Sequence, residues 1–451
     1  MSAAETKPAT PRPEAETAPA ECAIGRGEAL QRFVADLYPI CRSITGDGAR
    51  ATLARIGERI PLEVHEVPSG TAVLDWTVPK EWNIRGAYIR NSQGATVVDF
   101  RDSNLHVINY SIPVRARLSL EELSSHIHTL PDRADWIPYR TSYYEESWGF
   151  CMDHRTFQDL ADGEYEVLID SSLEEGSLTY GECYLEGAGV DEVLISCHVC
   201  HPSLANDNLS GVAVATFLGQ ELAARPRRYS YRLLFIPATI GSITWLARNQ
   251  DVTPRIRHGL VLAGVGDTGA LHYKRSRRGA AEIDRAVEHV LRHGAESFEV
   301  EDFSPYGYDE RQYCSPGFDL PVGCLMRTPW GRYPEYHTSA DNLDFVRPQS
   351  LADTFEKCLT VVDVLEGNRA YRNLNPKGEP QLGRRGLYDS VGGGVGRQDR
   401  ILALLWVLNL SDGDHDLLSI ADRAGMEFDL IRSAADALLK HGLLEELEAE
   451  S

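Results

Sequence analysis

Over residues 178–366 the hydrophobic pattern switches between two rhythms. Short, nearly unbroken apolar runs at 193–197, 232–236, 259–263 and 322–325 predict strands buried on both faces. Between them, apolar residues three and four apart predict helices over 210–224, 240–248, 283–293 and 348–366. Alternation of that kind predicts an α/β domain on a mixed, largely parallel sheet with helices on both faces. Residues 30–38 and 49–60 carry the helical spacing too. From 71 to 170 the pattern changes. Here β-branched and aromatic residues cluster at 86–90, 95–100, 106–110 and 165–169, with a helical stretch at 120–129. That reads as a small, mostly β domain inserted into the α/β domain, which occupies 27–70 and 171–372.

Past residue 372 a Pro- and Gly-rich stretch, 373–396, reads as a linker. Three short helices are predicted beyond it, at 400–408, 417–424 and 428–441, with Gly425 at the turn between the last two. Residues 397–451 therefore read as a winged-helix-like domain. Residues 1–26 are rich in Ala, Pro, Glu and Thr and lack the basic start and apolar core of an export signal. A disordered tail on a cytoplasmic protein is the expectation.

Charge narrows the functional classes. The 451 residues include 67 Asp and Glu against 45 Lys and Arg, a formal net charge of -22. Nucleic-acid binding needs a basic face. The last predicted helix offers Arg432 and Lys440 among Asp429, Asp436, Glu445 and Glu446, which would repel phosphate. A packing or homo-oligomer role is expected for it instead. No apolar run is long enough to cross a bilayer. Nine cysteines without regular spacing are expected as reduced thiols. Cys197-His198-Val199-Cys200-His201 fits the C-x-x-C-H haem-attachment pattern, but that pattern is short and the attachment requires export.

The chemistry concentrates just after the first predicted core strand. His198 and His201 stand at its carboxyl end, where α/β proteins place ligand-binding groups. Asp207 follows in Asn206-Asp207-Asn208-Leu209-Ser210-Gly211, and His337 lies far downstream in Tyr336-His337-Thr338-Ser339-Ala340-Asp341. Neutral imidazoles and a carboxylate are ligands that Zn2+ accepts. The order of these motifs resembles the zinc exopeptidase superfamily of zinc aminopeptidases, glutamate carboxypeptidases and glutaminyl cyclases. More closely, 42–48, 200–211, 274–279, 309–317 and 336–343 resemble an aminopeptidase-like family that joins this core to an inserted β domain and a C-terminal winged helix. The resemblance runs from about residue 28 to the C-terminus. It implies a zinc-aminopeptidase-like fold with His198 as the first metal ligand, Asp207 as the carboxylate between metals and His337 as the distal ligand. The closer family's Cys-His-Pro motif places the first ligand at His201 instead, and both positions stay open.

Two departures from the superfamily matter. Where it carries Glu-Glu-x-Gly, the first Glu a general base and the second a ligand, this chain has Ala238-Thr239-Ile240-Gly241. The next strand leads into Ala263-Gly264-Val265-Gly266, with no Asp before Asp267. One zinc ion rather than two is therefore expected, with the proton acceptor relocated to Glu310, its neighbour Asp309, or Glu335. Arg311, Tyr336 and Asp341 are the candidates for holding substrate, Asp341 also by orienting the His337 loop. Arg275, Arg277 and Arg278 form a basic run open to solvent or to an anionic substrate. The function expected is a zinc-dependent hydrolase of a small peptide or aminoacyl amide, an amino-acid-derived substrate, with neither nucleic acid nor membrane as partner. The alternative is a biosynthetic amide-forming or cyclising enzyme, or a binding protein without catalysis.

Overall fold

The computed structural model describes residues 18–387 and 397–447. Its centre is an 8-stranded sheet in the order Glu63–Pro68, Ser177–Leu185, Ser230–Ile236, Glu192–His198, Ile256–Leu262, Val322–Met326, Leu271–Lys274, Phe298–Glu301. Ser230–Ile236 through Val322–Met326 run parallel, and antiparallel pairings flank that block on both sides. Every residue of Glu192–His198 and Ser230–Ile236 is buried, as runs without polar alternation require. Alternate residues of the central strand serve different cores. Val193, Ile195 and Cys197 pack with the helices Ala18–Leu37, Gly211–Ala223 and Pro348–Gly367, whereas Leu194 packs with Leu234, Ile236 and the Ile240–Arg248 helix.

From Glu192–His198 the chain passes to Ser230–Ile236 on one side and then crosses back to Ile256–Leu262 on the other. The crevice of such a sheet opens at the carboxyl ends of these strands. A Cβ at Gly211 would sit 2.5 Å from the Leu262 carbonyl oxygen, so glycine lets the next helix begin directly against that crevice.

The inserted module is a four-stranded antiparallel sheet, ordered Thr96–Asp99, Glu81–Asn91, Glu164–Glu174, Val114–Ser119, over its own core of Ile89, Val98, Phe150, Val167 and Ile169. The 42–48 motif joins it to the main domain: Ser43 Oγ donates to Asn109 Oδ1, and Asn109 Nδ2 donates to the Arg42 carbonyl at 3.0 Å. Thr45 Oγ1 accepts the Trp82 N–H at 2.9 Å and meets Tyr110 OH at 2.6 Å. Two expectations fail here. Residues 106–110 form a loop after a 3-10 turn, Asn104–His106. The helix expected at 120–129 starts on a Ser119/Glu122 capping box but ends at Ser124, because Ile127–His128 pairs with Phe150–Cys151.

The C-terminal unit comprises the helices Arg397–Leu410, Leu417–Ala424 and Phe428–Lys440 and a three-stranded sheet ordered Asp412–Asp416, Ala370–Asn373, Leu444–Glu446. Ala370–Asn373 thus belongs to the winged helix, ahead of the expected linker. The Ala18–Leu37 helix likewise begins inside the stretch expected to be a disordered tail. Residues 1–17 of that tail and 388–396 of the linker lie outside the described residues. Salt links fasten the winged helix to the core: Arg285 to Asp416 at 2.6 Å and Arg292 to Asp422 at 3.0 Å. His289 Nε2 accepts the Phe428 N–H at 3.1 Å, so Nδ1 carries the proton it donates to Asp422 at 2.7 Å. The described cysteines are free thiols, and no helix among the described residues is long and apolar enough to cross a membrane.

Candidate metal centre

His198 closes the central strand, and Asp207 lies in the irregular Ala205–Ser210 turn that leads into the Gly211–Ala223 helix. Imidazoles converge on this buried carboxylate from both sides. His198 Nε2 is 2.8 Å from Asp207 Oδ1, while His337 Nε2 lies 3.0 Å and His201 Nε2 3.8 Å from Oδ2. The ligand atoms of His198, His201 and Asp207 all lie within 4.8 Å of one another. The two histidines left as alternatives by the sequence therefore face the same carboxylate. Burial alone would raise the Asp207 pKa, but His201, His198 and His337 outweigh it and hold the carboxyl well below its usual range. Burial pushes His201 down to about 3 against the pull of Asp207. An anionic carboxylate beside a neutral imidazole is the protonation state that zinc requires.

The surroundings fix these groups in place. Asp341 is fully buried and accepts the N–H groups of Asn206 at 2.6 Å and Asp207 at 2.9 Å. Burial raises its pKa to about 8, against the pull of those N–H donors. Asp341 therefore positions the Asp207 turn through its side chain. His337 holds a left-handed backbone, φ 55°, at a cost of about 1 kcal/mol or more. That geometry is pinned by the inserted module: the Tyr139 N–H donates to the His337 carbonyl at 2.8 Å, and the Ser339 N–H to the Ile137 carbonyl at 2.8 Å. The Tyr139 ring lies 5.1 Å from the rings of both His201 and His337. Local sequence gave no sign of this residue, since its role comes from the docking of the insertion. Behind His201, fully buried Arg42 donates through Nε to the His201 carbonyl at 3.1 Å, and burial lowers its pKa to about 10. Asp267 braces the turn by accepting from Asn206 Nδ2 at 3.0 Å and from Thr328 Oγ1 at 2.7 Å.

The opposite wall holds the candidates for proton transfer. Ala238 and Thr239 bring no acid to the start of the Ile240–Arg248 helix, but a neighbouring loop does. Asp309 is fully buried, with Oδ1 2.9 Å from the Ser242 hydroxyl, which also lies 2.7 Å from the Thr239 carbonyl oxygen. One hydroxyl hydrogen serves only one of these acceptors. The Ser242 hydroxyl donates to either in turn, so Asp309 is left short of donors. Burial accordingly pushes Asp309 up to about 6, opposed by the nearby His198, and its Oδ2 has no hydrogen-bond partner.

Glu310, expected as a base, is instead locked in a buried ion pair with Lys274 at 2.8 Å. Glu335 contributes its carbonyl oxygen, which accepts the Thr338 N–H and hydroxyl, and no hydrogen bond or ion pair ties its carboxylate to the cluster. The Glu310 carboxylate is thereby engaged by Lys274 and turned from the role of base expected for it. Arg311 lies over the Tyr306 ring at 5.7 Å with its Nε buried and unpartnered, and the Tyr336 ring stacks on His337 at 4.0 Å. Arg275, Arg277 and Arg278 are paired with Glu288, Asp302 and Asp319, so that run is structural. A cavity of about 480 Å³ opens beside His337, walled by Tyr336 and by Arg133, Tyr139 and Arg140 of the insertion.

A mixed sheet with its crevice at the end of the central strand, and a carboxylate ringed by imidazoles, define an aminopeptidase-like protein of the zinc-aminopeptidase fold. The chain belongs to the family described as a domain of unknown function, DUF4910, whose model matches residues 31–368, and a winged helix-turn-helix model matches 369–446. It is 54% identical over 418 residues, 93% of this chain and 96% of the other, to a Clostridium acetobutylicum protein provisionally named for polysaccharide biosynthesis with an aminopeptidase-like domain. A crystal structure from Clostridium acetobutylicum, described provisionally as a peptidase, superposes with a TM-score of 0.90 at 52% identity, covering 95% of this chain and 98% of that one. A zinc aminopeptidase from Bacillus subtilis superposes with a TM-score of 0.54 at 11% identity, covering 75% and 95%. A peptidase M28 precursor from Shewanella amazonensis gives 0.52 at 13%, covering 77% and 96%. At such identities the likeness is one of fold.

Proposed function

We propose that the protein is a metal-dependent amide hydrolase acting on a small substrate, with a single Zn2+ held by His198, His201, Asp207 and His337. The observation that carries this reading is the convergence of imidazole nitrogens on the buried Asp207 carboxylate. Imidazoles and one carboxylate are a donor set that suits zinc. One ion is favoured because Thr239 and Gly264 supply no further acidic ligand. Bound there, zinc would polarise the scissile carbonyl and lower the pKa of a water molecule.

The chain's own residues then account for the proton. Asp309 accepts a proton from the attacking water, whose oxygen bonds to the carbonyl carbon. As the C–N bond breaks, Asp309 returns that proton to the leaving nitrogen, giving a carboxylic acid and an amine. Tyr139 and Tyr308 flank the imidazoles and exclude bulk water. Arg311 is the group available to hold an anionic part of the substrate. The winged helix, acidic and salt-linked to the core, serves as a packing module in this reading.

Ala238-Thr239, together with the name of the Clostridium acetobutylicum relative, favours a second reading. In it the same pocket serves polysaccharide biosynthesis as an amide-forming or cyclising enzyme, or as a binding protein. Metal analysis with a panel of aminoacyl anilides and N-acyl amides separates the two. About one zinc per chain, with turnover abolished by His337→Ala, supports hydrolysis. Metal-free, inactive protein after purification in zinc-supplemented buffer points to the second reading.

A further inference from the structure

We propose that a second cavity, which shares Tyr308 with the metal cluster, is a subsite for a single sugar ring carried by the substrate. The inference rests on the hydrolase reading for the chemistry beside it, but not for the binding itself. The cavity has a volume of about 230 Å³. That is below the roughly 300 Å³ at which pockets for drug-sized molecules begin, so it takes one ring rather than a length of peptide.

Its floor and its rim present different chemistry. On the floor, Lys274 Nζ donates to Glu310 Oε1 and to the Tyr306 carbonyl, both at 2.8 Å. The other oxygen, Glu310 Oε2, is buried with no partner among the described residues. An unpaired buried acceptor of this kind is costly, and a donor brought by a ligand would relieve it. At the rim, Tyr306 is 63% exposed and Trp330 38% exposed, and their rings meet edge to face at 4.9 Å. Each of these open rings offers an apolar face at the rim. The charged groups of the lining balance, Glu301 and Glu310 against Lys274 and Arg332.

A neutral, hydroxyl-rich ligand with one flat apolar face matches all of this. Its hydroxyls donate to Glu310 and accept from the bases, while its C–H face stacks on Trp330 or Tyr306. A free ammonium group would also answer Glu310 Oε2 and be drawn to an aromatic face, and the counter-probe below separates it from a sugar. Tyr308, in the cavity wall, stacks on His198 with ring centroids 5.4 Å apart. The Tyr308 ring is thus the partition between this cavity and the His198 imidazole.

The test is direct binding to the full-length protein by saturation-transfer NMR and tryptophan fluorescence, with N-acetylglucosamine and glucose as probes and leucinamide as the counter-probe. N-acetylglucosamine is expected to bind, and Trp330→Ala and Tyr306→Ala, both at exposed positions, are each expected to weaken it by about tenfold. His337→Ala should leave sugar affinity within about twofold, because it alters the metal cluster and not the subsite. Absence of sugar binding by the folded protein overturns the proposal, as does binding that both aromatic variants leave unchanged. Leucinamide binding that Glu310→Gln abolishes, with no sugar binding, would make the cavity an amine subsite and overturn it as well. Intact sugar binding without amide turnover counts against the hydrolase reading alone.

Discussion

On one wall of the cleft, Asp207 takes contacts at both oxygens and its backbone N–H is held by Asp341. In the neighbouring loop, Asp309 shares one hydroxyl with a carbonyl and leaves an oxygen without a partner among the described residues. Both carboxylates are fully buried, yet burial governs only one of them: Asp207 is driven well down and Asp309 is pushed up to about 6. The difference lies in the number of cationic or N–H partners each can reach. A carboxylate with a full set of donors can hold a metal, and one poorly supplied with donors can exchange a proton near neutral pH.

The largest effect should come from the satisfied wall. Asp207→Ala is expected to reduce bound zinc from about one per chain to a trace and to abolish turnover, measured by metal analysis after dialysis against a chelator. Equal zinc in the variant would mean that Asp207 is not a ligand. Next, Asp309→Asn should keep its zinc and lose about 10²–10⁴-fold in kcat. Wild-type activity should rise with pH through about 6 as Asp309 loses its proton, and the variant should lack that limb.

The same carboxyl affects stability with the opposite sense. Its folded pKa, about 6, lies above the ordinary 3.8, so the folded chain keeps a proton that the unfolded chain has lost between those values. Stability therefore falls as pH rises through that window. In metal-free protein at pH ~7.5, Asp309→Asn should be the more stable by something on the order of 2–3 kcal/mol, with no difference near pH ~3. Denaturant melts at the two pH values check this. Asp341→Ala, which leaves the ligands intact but removes the acceptor for two backbone N–H groups, should lower zinc affinity by about 10–100-fold. The smallest expected effect is a recovery. Ala238→Glu in the Asp309→Asn background should restore roughly tenfold of the lost rate, and no recovery would mean that position 238 does not face the reacting water.

Much of the architecture was legible because it is written in local periodicity. Leu417–Ala424 and Ile240–Arg248 have the bounds their spacing predicts, and the core strands agree within a few residues. Leu271–Lys274 was not legible, since it buries His272 and Lys274 and so lacks the apolar signature of a core strand. His198 and His201 could be singled out from residue type and position at a strand end, and Asp207 and His337 from the motifs that carry the resemblance. The roles of Glu310 and Tyr139 could not, because each depends on a partner remote in the chain, Lys274 and the His337 loop; Asp341 was expected to orient the His337 loop, but that its side chain holds the Asn206–Asp207 turn was not legible. Residue type marks a group able to bind or to transfer a proton. Only the fold says whether its charge is already spent on a neighbour.

The backbone bonds between 137–139 and the His337 turn carry an evolutionary consequence. An insertion is usually free to be swapped, lengthened or deleted without disturbing the host sheet. Here one edge of the guest domain holds a histidine of the host in its strained conformation, so a change in one is felt by the other. Exchanging this module for that of a distant cousin would loosen that histidine along with the specificity, and a transplant would succeed only if the matching turn travelled with it.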